Sequence, residues 1–103
     1  MASGKLGSVA LVANTNTSLG SPSATKISTV NINFCNQGVN AVRIRLAINA
    51  GGAPAVADYT EYDKLIAGND SYEVTGVVCS PGETVWVYAS TANVSVRAHF
   101  FEE

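Results

Sequence analysis

Val94-Ser95-Val96-Arg97-Ala98-His99-Phe100-Phe101 decides the fold class of this chain. Val94, Val96, Ala98 and Phe100 fall on one face at period two, while Arg97, His99 and Phe101 fall on the other. Only Glu102 and Glu103 follow. A chain that spends these residues on a strand predicts no appended helix there.

The same alternation recurs upstream. In residues 84–90, Val85, Val87 and Ala89 share one side and Trp86 and Tyr88 the other. Ser80-Pro81-Gly82-Glu83 precedes that strand, with Pro then Gly at the central positions of a type II turn. Residues 71–79 and 59–66 read as extended, separated by the turn Gly68-Asn69-Asp70. Gly51-Gly52-Ala53-Pro54 is the clearest break, and residues 55–58 suit one helical turn. In residues 39–50, Val42, Ile44, Leu46 and Ile48 point inward and Arg43, Arg45 and Asn49 outward. In residues 26–36, Val30, Ile32 and Phe34 share a face opposite Asn31, Asn33 and Cys35. The short loop Asn36-Gln37-Gly38 predicts that these last two strands form a hairpin. Residues 15–19 make a weaker strand ahead of Gly20-Ser21-Pro22-Ser23, and residues 6–13 a first strand. Seven or eight strands punctuated roughly every 8–12 residues, with no sustained helical period, predict an all-β antiparallel sandwich, or alternatively a small barrel.

With 103 residues the chain reads as one domain, preceded by a short N-terminal arm over residues 1–5. Charged residues are only 14% against 47% hydrophobic, which suits either a Ser/Thr/Asn-rich surface or faces covered by neighbours. A net charge of −2 with scattered Lys and Arg gives no footprint for nucleic acid or an anionic membrane. No apolar run approaches the roughly 20 residues of a membrane helix. The leader lacks the apolar block of a secretory signal, so the three Asn-X-Ser sequons at Asn16, Asn69 and Asn93 read as chance matches. Cys35 and Cys79 fit no zinc spacing. Free thiols are the leading expectation in a reducing compartment, with intramolecular and intermolecular bridges as alternatives.

Catalytic groups are sparse. Glu61 and Asp63 share a strand face at i, i+2, a pattern that belongs to solvated strands. His99 is the sole histidine and the only base available to Cys35. Gly51-Gly52 lacks the Lys and the helix of a phosphate loop. The residues therefore predict a non-enzyme without metal or cofactor. Trp86 and Tyr88 stand out instead: if the valines beside them face the core, the two aromatics face outward, where they can anchor a protein interface or stack on sugar.

Several segments, in order, carry a resemblance. They are Gly4-Lys5-Leu6-Gly7-Ser8, Ala13-Asn14-Thr15-Asn16-Thr17, Val30-Asn31-Ile32-Asn33-Phe34-Cys35-Asn36, Ala57-Asp58-Tyr59-Thr60-Glu61-Tyr62-Asp63, Ala92-Asn93-Val94-Ser95-Val96-Arg97 and Phe101-Glu102-Glu103. Together they resemble small β-sandwich accessory proteins of tailed-bacteriophage particles. The chain departs from that pattern around Leu19-Gly20-Ser21-Pro22-Ser23, where a more apolar strand and a Pro-Ala-Gly-like turn are expected. The resemblance implies a virion structural protein, foremost a capsid decoration or cement protein that binds the major capsid protein, with a homotrimer favoured. The alternative it leaves is a tail-fibre or baseplate module that binds host glycan. Lys5 in the arm, with Arg43, Arg45, Trp86 and Tyr88, are the candidate interface residues.

Overall fold

The computed structural model describes residues 3–102. Eight strands follow one another: β1 (Ser3–Ala10), β2 (Thr17–Gly20), β3 (Ser28–Asn36), β4 (Val42–Asn49), β5 (Tyr59–Ile66), β6 (Ser71–Cys79), β7 (Thr84–Ala89) and β8 (Val94–Glu102). A single turn of 3-10 helix, Val56–Asp58, precedes β5. The strands form two antiparallel four-stranded sheets, A in the order β1-β8-β3-β6 and B in the order β2-β7-β4-β5. The sheets stack as a sandwich and do not close into the alternative barrel.

The pairing is nested: β1 with β8, β2 with β7, β3 with β6, and β4 with β5. One long ribbon, folded at its middle and rolled up, gives this order, which is the jelly-roll arrangement. It corrects the hairpin expected between β3 and β4. Those strands lie in different sheets, and among the described residues β4 with β5 are the sole consecutive strands that pair. Alternation fixes which face of a strand is apolar but not which strand lies beside it. Here Val30, Ile32 and Phe34 meet Val42, Ile44 and Leu46 across the sandwich, and all six are buried. Val85, Val87 and Ala89 of β7 and Val94, Val96 and Ala98 of β8 complete the interior.

The first strand begins earlier than expected. Gly4 and Lys5 of the expected arm pair with Phe100 and His99 of β8, so they belong to sheet A. Met1 and Ala2 lie outside the described residues. The break at Leu6, where the register shifts between Lys5 and Gly7, hides this stretch from a period-two reading.

Asn36, fully buried, ties one end together. Its Nδ2 donates to the carbonyls of Asn40 and Ala67 at 2.9 and 3.1 Å, and more loosely to that of Ile66 at 3.4 Å. Its Oδ1 accepts the Gly38 N–H at 3.0 Å. Gly68 packs so closely on the Val39 carbonyl that no Cβ fits there. At the opposite end, Gly82 has φ +82° and Glu83 N–H reaches Ser80 O at 3.1 Å, the type II turn read from Pro81-Gly82. The molecule measures 40 × 26 × 18 Å. A thickness of 18 Å is filled by two sheets about 10 Å apart with their side chains, so both outer faces are surface.

Candidate functional site

The outer face of sheet B is built around Arg45. Strand β4 alternates through Ile44, Arg45 and Leu46, which sends Arg45 outward between β7 and β5. On the β7 side its register partner is Tyr88, and the guanidinium carbon stands 4.3 Å from that ring's centre. On the β5 side the register breaks between Ile44 and Leu46, with Asp63 at φ +54°. This bulge turns Tyr62 and Asp63 toward Arg45 together. The guanidinium carbon stands 4.2 Å from the Tyr62 ring, and Nε donates to Asp63 Oδ1 at 2.7 Å. One arginine is thus held between two tyrosine faces and fixed by a carboxylate. Asp63 keeps the Arg45 charge in place, chiefly through that hydrogen bond, and raises its pKa above the ordinary arginine value. No bond to the terminal nitrogens of Arg45 occurs among the described residues.

The surroundings are also fixed. Tyr88 OH donates to Asn14 Oδ1 at 2.8 Å. Trp86 Nε1 donates to Asn49 Oδ1 at 3.0 Å, and Asn49 Nδ2 in turn donates to Asp58 Oδ2 at 3.1 Å. Asn49 therefore lies on the expected outer side, where it is buried among its bonds to Trp86, Asp58 and the Gly52 carbonyl. Tyr59 and Tyr62 meet edge to face at 5.1 Å and 81°. With Val56 they line an apolar hollow of about 490 Å³. Val56, Tyr62 and Leu65 are 93%, 60% and 55% exposed, a concentration of bare apolar surface along β5 and its approach.

The sequence-named residues divide between the two faces. Arg43, Arg45, Trp86 and Tyr88 all sit on the outer face of sheet B; Arg43 is exposed and donates to the Asp63 carbonyl at 3.3 Å. Lys5 lies opposite His99 on sheet A, so it does not join them. Trp86 and Tyr88 are outward but half-buried with their polar atoms bonded, so Tyr62 offers the most open aromatic surface. Tyr62 was missed because its approach to Arg45 depends on a bulge that has no glycine to mark it, and Tyr59 and Val56 because they join the site through Tyr62. The bulge also separates Glu61 from Asp63, which do not share a face. Glu61 pairs with inward Leu46 and accepts from Tyr72 OH of the other sheet at 3.2 Å. Burial, followed by the neighbouring Glu61 carboxylate, raises the Tyr72 pKa.

Neither thiol is part of a catalytic arrangement. Cys35 and His99 share the outer face of sheet A, but their register partners on β8 and β3 place them four residues apart, about 13 Å. Both cysteines are free. Cys79 opposes Ser28 at the start of β3, seven residues or about 23 Å from Cys35, so an intramolecular bridge is out of reach. Among the described residues no group of three His, Cys, Asp or Glu could hold a metal, and no helix is long and apolar enough to cross a membrane. No family model matches the chain, and no curated protein or solved structure matches it either.

Proposed function

We propose that this chain is a structural component of a tailed-bacteriophage particle, a decoration or cement protein that docks on the major capsid protein through the outer face of sheet B. The observation that carries the docking face is Arg45 fixed between Tyr62 and Tyr88 beside bare Val56 and Leu65. Interfaces are anchored by aromatic residues and arginine whose conformations are set before binding. The motif resemblance supplies the particle. The jelly roll supports it by analogy, since that architecture recurs in viral capsid domains, although a fold alone never assigns a function.

The mechanism is linkage. A protein that binds the assembled lattice and not the loose subunit stabilises the lattice by its binding free energy. Docking at a local three-fold favours a trimer. Imaging purified particles tests the reading: the chain should sit on the head with the outer face of sheet B covered. Location on the tail alone would replace cement by a tail role, and absence from the particle would overturn the proposal.

The hollow of Val56, Tyr59 and Tyr62 favours one second reading, a module that stacks host glycan on Tyr62. A glycan array discriminates the two. Binding abolished by Tyr62→Ala would support recognition, and an array without signal would leave the capsid reading.

A further inference from the structure

The outer face of sheet A differs in chemistry from that of sheet B. Its residues stand in rows across the strands. Lys5 lies opposite His99, which lies opposite Asn31; Ser8 lies opposite Arg97, which lies opposite Asn33. Arg97 Nε donates to His99 Nε2 at 3.1 Å, so the two side chains hold one another. Neither Lys5 nor Arg97 has a carboxylate partner among the described residues, where the ion pair is Arg45 with Asp63 on the other sheet. The carboxylate in the Arg97 row is Glu73, which faces Asn33 on β6 two strands away, about 10 Å. Asn31 spends its Oδ1 on Gly76 N–H at 2.9 Å, which leaves its amide donors unused. Beside this cluster lies a hollow of about 310 Å³, floored by Ser8, Ala10, Cys35 and Ser95 and walled by Arg97 and Asn33. It has room for one carboxylate side chain.

We propose that this face is a second docking surface, which receives the carboxylates of an acidic segment of a protein partner, with Arg97 as the bidentate anchor and Lys5 and His99 beside it. Arginine pairs with carboxylate through two parallel N–H donors, and the Nε contact to His99 leaves both terminal nitrogens for that task. The chain as a whole carries a charge of −2, which repels an extended polyanion such as nucleic acid or an anionic membrane. Discrete carboxylates that meet a local cationic cluster escape that repulsion, because screening confines the interaction to about 10 Å. With the aromatic face on the opposite side of a slab 18 Å thick, a second surface would let one copy join two neighbours. The inference stands on sheet A alone and does not need the capsid reading.

The test is an NMR titration of the isotope-labelled full chain with a hexaglutamate peptide at about 0.1 M salt, where screening acts over about 10 Å. Shifts are expected at Lys5, Asn31, Asn33, Arg97 and His99. Arg97→Gln on β8 and Lys5→Gln on β1 should each weaken binding about fivefold, and Lys26→Gln in the exposed loop should not. Shifts confined to the Arg43 or Lys64 side, no shifts, or equal affinity for hexaglutamine would overturn the proposal. So would tighter binding of oligothymidylate or of phosphatidylserine vesicles, which would assign the face to nucleic acid or membrane.

Discussion

Arg45 donates from the central strand β4 to Asp63 at 2.7 Å, on the bulge of edge strand β5, and this bond clamps a guanidinium between the rings of Tyr62 and Tyr88. The pair is partly exposed, with side chains 23% and 36% accessible, so its share of folding stability is under about 1 kcal/mol. Each ring contact adds about 0.5–1 kcal/mol. Arg45→Lys keeps the charge but loses the planar fork, and should lower urea-unfolding stability by about 1–2 kcal/mol. A loss above about 4 kcal/mol would place the stack among the structural core rather than on a docking face.

Asn36 should be far more sensitive. Asn36→Ala removes the donor to two closely bound loop carbonyls and strands the partly buried Gly38 N–H, at a cost of about 2–4 kcal/mol. Asn36→Asp should be worse at neutral pH, because a carboxylate then faces those carbonyls, and should recover on acidification as it protonates. Thermal melts of both variants across pH check this. An Asp variant as stable as wild type at pH 7 would contradict the bonding described.

Ser28 should behave in the opposite way. Its hydroxyl is buried between Cys79 and Glu102 in the register and has no hydrogen-bond partner among the described residues. Ser28→Ala removes that uncompensated group, so the melting temperature should hold or rise. A loss above about 1 kcal/mol would reveal a partner for the hydroxyl.

The thiols should separate by reactivity. Burial, and secondarily the Glu83 carboxylate, push Cys79 up to about 11. Cys35 is half-buried on the outer face of sheet A. A thiol reagent at pH 8 should modify Cys35 alone until the protein unfolds. The raised Cys79 value also makes stability pH-dependent. The folded state holds this proton more tightly than the unfolded state does, so the contribution is complete below pH 9. It is lost as pH rises toward 11. That slope should be smaller in Cys79→Ala, and an identical slope would show that other groups cause it.

Much of this architecture was legible because alternation is a local signal. Val30-Ile32-Phe34, Val85-Val87-Ala89 and Val94-Val96-Ala98 identify strands and their inward faces directly. Pairing was not legible, since the crossing from β3 to β4 leaves no mark in residues 37–41 that distinguishes it from a hairpin. The site was half legible. Arg43, Arg45, Trp86 and Tyr88 followed from parity on β4 and β7, whereas Tyr62 reached Arg45 through a bulge at an aspartate that accepts φ +54°. Asn36 looked like an ordinary turn residue, because three carbonyls converging on one amide is a property of folded loops.

The most direct measurement of the docking claim is attachment of the purified chain to particles that lack it. Wild type and the double variant Arg45→Ala, Tyr62→Ala would be compared by co-sedimentation, with thermal melts confirming that both are folded. Attachment should fall at least about tenfold in the double variant, as expected for central anchors of an interface. Equal attachment of wild type and the double variant would contradict docking through the outer face of sheet B.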